Sequence, residues 1–316
     1  MKRIEVALLV FFVVFGRKLK RVFGNIGSFL WPKIRNNWRV FIAALVILYV
    51  IGIVVFAIRL YKQQRFEKID LIASNIYPFP VAHSGRAIVF NGQLQRWVYS
   101  SKVFASKNNL DMPKDLPQRV IKELADYKAV AQEADRMGVR VTQKYIDDKF
   151  QISIEGVGNI EQARDFIKQM YGISLERFKA MIHPAVTLEK IKEDKFVCIK
   201  VRHILIKDES RAKEVLDELK KGGNFADIAK DRSEDEGSKG DGGLVAGGEF
   251  IYRGSGLVKE FEDVAFKLEP GKISDLVKTE FGYHIIKVDA KKGTINQPVE
   301  KWLNALNASY PQSIWL

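Results

Sequence analysis

Cysteine is all but missing from this chain. Among 316 residues only Cys198 occurs, so no disulfide can form within it. That cysteine lies deep in the sequence, after Phe196-Val197, which excludes a lipid-attachment cysteine at a mature N-terminus and leaves a small apolar filler. Histidine is also scarce, with four in all: His83, His183, His203 and His284. Acidic residues are nearly absent from the start. Residues 1–39 hold nine lysines and arginines against Glu5 alone, so +8 of the net +13 lies there and only +5 is left for the other 277 residues. No dense basic run with interleaved aromatics occurs in the remainder, which argues against a nucleic-acid partner. The basic excess instead adjoins the most hydrophobic part of the chain, where membrane topology accounts for it. There is no internal repeat and no low-complexity tract.

What is present describes a globular protein of two domains plus extras, 47% hydrophobic and 28% charged. Residues 6–16 are apolar but only eleven long, short of the roughly 20 a spanning helix needs, and read as an interfacial or re-entrant piece. Val40 to Ile58 is nineteen residues without a charge, flanked by Trp38 and Tyr61. This is the expected transmembrane helix, assigned to 40–60. Lys33, Arg35 and Arg39 precede it, so the positive-inside rule places the basic segment 1–39 in the cytoplasm and the rest outside. No small-residue cleavage site follows closely, which favours an uncleaved anchor over a signal peptide. Residues 61–85 read as a connector, extended around Pro78 and Pro80.

After a short strand at Ala87–Phe90 and an Asn91-Gly92 turn, the pattern becomes helical. Val120, Leu124, Tyr127, Ala131 and Ala134 have helix spacing, and Gly138 follows as a C-terminal stop. Thr142, Asn159 and Ser174 open three more helices. Pro184 is expected to interrupt the last, which leaves His183 at a helix end; neither it nor His83 is assigned a function.

From Phe196 the period changes to two. Val197, Ile199, Val201, His203 and Leu205 share one strand face, and His284, Ile286 and Val288 share another about eighty residues on. One histidine among apolar strand neighbours is most simply a satisfied core side chain. Two that frame one compact domain suggest a shared site. Between them lie an amphipathic helix through Ala212, Val215, Leu216 and Leu219, a short helix capped by Asn224, a loop dense in glycine and charge at 231–256, and a short helix through Phe261 and Ala265. A last amphipathic helix carries Val299, Trp302, Leu303 and Leu306; it is too short to stand alone and must dock, by expectation near Leu124 and Ile191.

Three stretches carry a family resemblance: V-R-H-I-L-I-K at 201–207, N-F-A-D-I-A-K-D-R-S at 224–233, and the run from Phe261 to Val288 that ends T-E-F-G-Y-H-I-I-K-V. They resemble the parvulin (PpiC or rotamase) family of peptidyl-prolyl cis/trans isomerases over about ninety residues, in that family's order. Residues 86–195 are more loosely similar, in domain order and helix pattern, to the helical chaperone domain of SurA-like and PrsA-like extracytoplasmic folding factors. The resemblance implies paired active-site histidines at His203 and His284, an acidic position at Asp235, a threonine at Thr279, and a proline pocket of Leu257, Phe261 and Phe281. Read alone, Asp235 between Glu234 and Glu236 is a solvated loop charge. One departure stands out. Where the family usually has a G-D-L-G turn, this chain reads Gly242-Gly243-Leu244-Val245, and the segment to Leu257 is longer by several residues.

The expected fold class is therefore α+β: a parvulin domain (a small antiparallel sheet with flanking helices) at 196–291, an all-α chaperone-like domain at 86–195, a tail helix at 292–316 docked on it, and one N-terminal transmembrane helix. The implied function is a single-pass, membrane-anchored, extracytoplasmic isomerase that acts on unfolded or exported polypeptides with X-Pro bonds. The chemistry requires no cofactor and no metal. The alternative is a holdase or assembly chaperone whose parvulin module binds clients with little catalysis. The lipid bilayer is the second expected partner, through residues 40–60.

Overall fold

A computed structural model describes residues 38–64, 66–156 and 158–316, with the side chains of 38–42 set aside. The basic segment 1–39, except for the backbone at 38–39, and the apolar stretch 6–16 lie outside the described residues. Two compact units emerge, one ending at Phe79 and one spanning Pro80–Trp315, and each is described by itself.

The first unit is built on helix α1, Trp38–Ala57, which passes into a π-helical turn at Ile58–Lys62. Residues 43–62 form a helix long and apolar enough to cross a membrane. Leu45, Val46, Ile47, Leu48, Val54 and Val55 are all exposed. In water a helix buries one apolar stripe, whereas this one presents apolar side chains on most sides. A short helix, α2, follows at Lys68–Ala73, opened by a capping box between Glu67 and Asp70.

The second unit begins with strands β1 (Pro80–Ser84) and β2 (Ala87–Phe90). Helices α3 (Asn91–Lys107), α4 (Leu116–Arg136), α5 (Gln143–Ser153), α6 (Ile160–Tyr171) and α7 (Leu175–Lys195) follow. The sequence-level caps are present: Thr142 accepts from the N–H of Tyr145, Asn159 from Glu161 and Gln162, and Ser174 from Arg177. Two local expectations are overturned. Asn91-Gly92 opens helix α3 and is no turn, because Asn91, Leu94, Gln95 and Val98 are buried and tertiary packing outweighs the turn preference of Asn-Gly. Pro184 does not interrupt α7, which runs through it and keeps Met181, Thr187 and Ile191 buried on either side. One lost backbone bond is tolerated because both flanking turns are packed. His183 is therefore mid-helix.

Beyond Lys195 the chain forms β3 (Cys198–Ile206), α8 (Glu209–Lys220), α9 (Phe225–Arg232), the two-residue strand β4 (Ile251–Tyr252), α10 (Lys259–Ala265), β5 (Val277–Thr279) and β6 (Gly282–Lys292). The four strands make one antiparallel sheet in the order β4-β3-β6-β5. Its two faces bury separate cores. Val197, Ile199, Val201, Ile286 and Val288 pack with Phe261, Ala265 and Phe266 on one side. Ile204, Ile206 and Ile285 pack with Val215, Leu219, Phe225 and Ile228 of α8 and α9 on the other. Cys198 is fully buried, as a small filler would be.

Helix α11 (Val299–Ser309) places Trp302 and Leu306 in a cluster that also holds Ala129, Val130, Ala134, Ile191 and Phe196. The contact on α4, at Ala129 to Ala134, is one to three turns beyond Leu124. After α11 the chain adds a strand, β7 (Gln312–Ile314), which pairs with β1 and completes a three-stranded sheet in the order β2-β1-β7. The architecture is α+β, a mainly helical part and an antiparallel sheet with flanking helices, with one long apolar helix near the N-terminus.

Candidate active site

The two strand histidines meet because β3 and β6 are neighbours in the right register. Leu205 lies opposite His284, and His203 opposite Ile286, so the histidines are a diagonal pair on one face. Their Nδ1 atoms are 3.0 Å apart, and the rings lie 14° from parallel with centroids 5.3 Å apart. His284 is buried.

Asp235 reaches the pair from the loop after α9. That loop is pinned to the end of β3: Glu234 N–H donates to the Leu205 carbonyl (2.7 Å), while the Ser233 hydroxyl accepts from the N–H groups of Leu205 and Asp235. Asp235 Oδ2 then lies 2.8 Å from His203 Nε2. Ser238 Oγ donates to the same carboxylate oxygen and lies 3.0 Å from His203 Nε2. On the far side Thr279 Oγ1 is 2.9 Å from His284 Nε2 and accepts from the N–H of Phe281.

These partners fix the proton positions by elimination. A carboxylate accepts only, so His203 carries its proton on Nε2 and donates to Asp235. In the single-proton tautomer that this leaves, His203 accepts at Nδ1 from the Nδ1–H of His284. His284 Nε2 is left as an acceptor for the Thr279 hydroxyl. One directed chain results, from Thr279 through His284 and His203 to Asp235. The electrostatics agree. Burial, with His203 adding to it and Asp235 opposing, pushes the His284 imidazole down to about 4, so it is neutral at physiological pH. Burial would raise Asp235, but the hydrogen bonds from Ser238 and His203 outweigh it and hold the carboxyl below its usual range.

Above this polar floor lies a cleft of about 410 Å³. Phe261 stands edge-on to both imidazoles, 5.6 Å from His203 and 5.4 Å from His284 between centroids. Leu257 and Val258 continue the apolar wall, and Phe281, 55% exposed, forms the rim. The opposite wall is the stretch where the sequence departs from the family turn. There Gly243 N–H donates to the Ser238 carbonyl, and the Gly243 carbonyl accepts from His203 N–H, both at 2.8 Å. A Cβ at Gly243 would lie 2.3 Å from the His203 carbonyl oxygen, and its φ of +80° is glycine territory. Ala246 and Gly247 continue in left-handed conformations, with φ of 50° and 61°, so the longer segment curls into a lip over the cleft.

Six of the seven expected site residues, His203, Asp235, His284, Leu257, Phe261 and Phe281, line this one cleft. Thr279 touches His284 from behind it. Ser238 is the functional neighbour that sequence reasoning missed; its signal is a hydroxyl residue three positions after the acid, able to turn back on it. Among the described residues no group of three or more histidine, cysteine or acidic side chains is placed to hold a metal ion. The arrangement offers a hydrogen-bonded polar floor, one carboxylate and an apolar wall.

Comparisons with known proteins cover the residues that carry this cleft. Residues 186–292 match a family model described as the PPIC-type PPIase domain. The chain is 38% identical over 173 residues to Foldase protein PrsA 3 of Bacillus anthracis, covering 54% of this chain and 58% of that one. It is 35% identical over 193 residues to Foldase protein PrsA of a Geobacillus strain, covering 58% and 66%. The chain thus spans about three fifths of the length of the curated relatives it matches. Among solved structures, the parvuline of Nitrosopumilus maritimus is 41% identical, with 98% of it and 30% of this chain covered at a TM-score of 0.27. The crystal structure of the peptidylprolyl isomerase PrsA from Bacillus anthracis is 28% identical, with 86% and 60% covered at a TM-score of 0.31. Residues 186–292 are a PPIC-type PPIase domain, carried by a chain homologous to PrsA foldases.

Proposed function

We propose that this chain is a membrane-anchored, extracytoplasmic peptidyl-prolyl cis/trans isomerase that assists the folding of exported polypeptides. The observation that carries the reading is the cleft itself, an apolar slot at Phe261 and Leu257 set over the His203–His284 floor and beside the Asp235 carboxylate.

The reaction needs no covalent step. An X-Pro bond rotates over a barrier of about 18–20 kcal/mol, set by the resonance lost as the C–N bond twists. A catalyst must bind the twisted amide better than either planar form. Seating the pyrrolidine ring against Phe261 and Leu257 strips water from the amide. Planar amides are the more charge-separated, so desolvation weakens them relative to the twisted form. The Asp235 carboxylate adds to this by disfavouring negative charge on the nearby carbonyl oxygen. The histidine pair holds Asp235 and the slot in fixed relation. Rate acceleration on an X-Pro tetrapeptide by the intact chain in lipid nanodiscs is the test. Binding of the peptide with exchange left at its uncatalysed rate would favour a client-binding platform.

The same proposal divides the chain into a cytoplasmic segment 1–39, a membrane helix within 40–60, a connector 61–85, a chaperone-like helical region 86–195, the isomerase region 196–291 and a docked tail 292–316. The N-terminus faces the cytoplasm because the positive charge precedes the helix. Protease added to spheroplasts should digest the chain beyond residue 62. Protection of that large fragment would reverse the orientation.

A further inference from the structure

Between Arg59 and Phe79 the chain folds back along helix α1. The Arg59 guanidinium donates two hydrogen bonds to the buried Asp70 carboxylate, at 2.5 and 2.8 Å, and so clamps α2 against the end of the apolar run. The Tyr77 ring lies 5.3 Å from Tyr49 and 6.0 Å from Phe56. It fits there only because Gly52 has no side chain, since a Cβ would sit 2.0 Å from the Tyr77 hydroxyl oxygen. Gly52 is six residues before Ile58, so the tip of the Tyr77 ring meets α1 about 9 Å below the end of the uncharged stretch.

The outer side of this returning segment carries three isoleucines, with Lys68 and Asn75 also exposed. Ile69, Ile72 and Ile76, spaced i, i+3 and i+7, are 63%, 57% and 53% exposed, while Leu71 and Ser74 face inward. On α1 itself Val54, Val55 and Ile58 are exposed as well. The backbone of the turn is also self-contained. The N–H groups of Ser74, Asn75, Ile76 and Tyr77 donate to the carbonyls of Asp70, Ile72, Ala73 and Ala73. Two polar side chains also bond within the turn: Ser74 Oγ, buried, and Asn75 Nδ2, at the surface, both donate to the Leu71 carbonyl, at 2.7 and 3.2 Å. A non-helical turn is tolerated at membrane depth only when its backbone groups are satisfied by protein. A depth of 5–10 Å is typical of interfacial amphipathic segments.

We propose that Ile69, Ile72 and Ile76 form a lipid-contacting foot, which lies in the outer boundary of the bilayer and seats the juxtamembrane segment on the membrane surface. The inference rests on reading α1 as the membrane anchor. In this arrangement the anchor is a helix braced by a second, interfacial contact, and the chain leaves the membrane from Phe79 at a fixed place on α1.

The test uses the full chain in lipid nanodiscs, with a nitroxide attached in turn at Ile69→Cys, Ile72→Cys and Ile76→Cys; Cys198 is buried and stays unlabelled. Collision rates with molecular oxygen, which enters lipid, and with a water-soluble nickel chelate are compared with those at Val46→Cys in α1 and at exposed Ile152→Cys. An oxygen-to-nickel ratio at all three positions clearly above that at Ile152, and below that at the deeper Val46, is expected. Ratios like that of Ile152, with Val46 still lipid-like, would sink the foot and leave the anchor standing. A water-like Val46 would sink both. Shielding of the three positions from both reagents would show a protein cover and equally overturn the proposal.

Discussion

Each residue of the floor depends on the one before it. His284 is neutral because burial disfavours its charge, and a neutral His284 can donate from Nδ1 only if Nε2 accepts, which Thr279 allows. The pH consequence follows from sign. The folded value, about 4, lies below the ordinary 6.5 of the unfolded chain. The neutral imidazole therefore stabilises the fold fully above pH 6.5, and that contribution is lost as pH falls from there towards 4. Asp235, also held low, acts in the same direction at more acid pH. Melting temperature measured from pH 7 down to 4.5 should fall more steeply in wild type than in His284→Asn, which keeps a donor and an acceptor but cannot titrate. Equal slopes would mean that His284 is not held neutral. The histidines were legible in the sequence because each sits among apolar residues of its own strand parity. Asp235 was not legible without the family resemblance, since between two glutamates it reads as a solvated charge. Ser238 left only a weak signal, a hydroxyl three positions after the acid, because its contact exists only once the loop has turned back.

At the scale of elements, helix starts were the most readable feature. Thr142, Asn159, Ser174 and Asn224 each cap the helix expected of them, because a cap is a local arrangement of one side chain and two or three N–H groups. Features decided by distant packing were not readable. Asn91-Gly92 became a helix start, Pro184 stayed inside a helix, and β1 and β7 pair across more than two hundred residues of sequence. The lip of the cleft is the element with the sharpest consequence. Gly243 joins the Ser238 turn to the backbone of His203 on both sides, and only glycine fits its close approach. Gly243→Ala should destabilise the chain by on the order of 1–3 kcal/mol, read as a lower melting temperature, and should reduce isomerisation further than the fold loss explains. A variant as stable and active as wild type would show that the lip adapts freely and does not position His203.

At the scale of the molecule, each unit has its own logic. In the first, an apolar helix is closed off by the Arg59–Asp70 clamp and the return of Tyr77. In the second, the tail helix joins parts far apart in sequence: the Trp302 ring meets Phe196 edge-on, 5.5 Å between centroids, in a cluster with Ala129 and Ile191. That docking was foreseeable, because a short amphipathic helix cannot stand alone. Its exact seat, beyond Leu124, was not. The cleft remains the feature on which the functional account depends, and catalysis is its most direct readout. The deciding measurement is kcat/KM for cis/trans exchange of an X-Pro tetrapeptide by the intact chain, compared with His203→Ala and His284→Ala. Each substitution leaves a partner in the hydrogen-bonded floor unpaired, which is worth about 1–3 kcal/mol and so roughly five- to a hundredfold in rate. The expected result is a clear acceleration by wild type that falls by about that factor in each variant. Wild type and both variants at one equal rate would contradict the assignment of the histidine floor as the site of isomerisation.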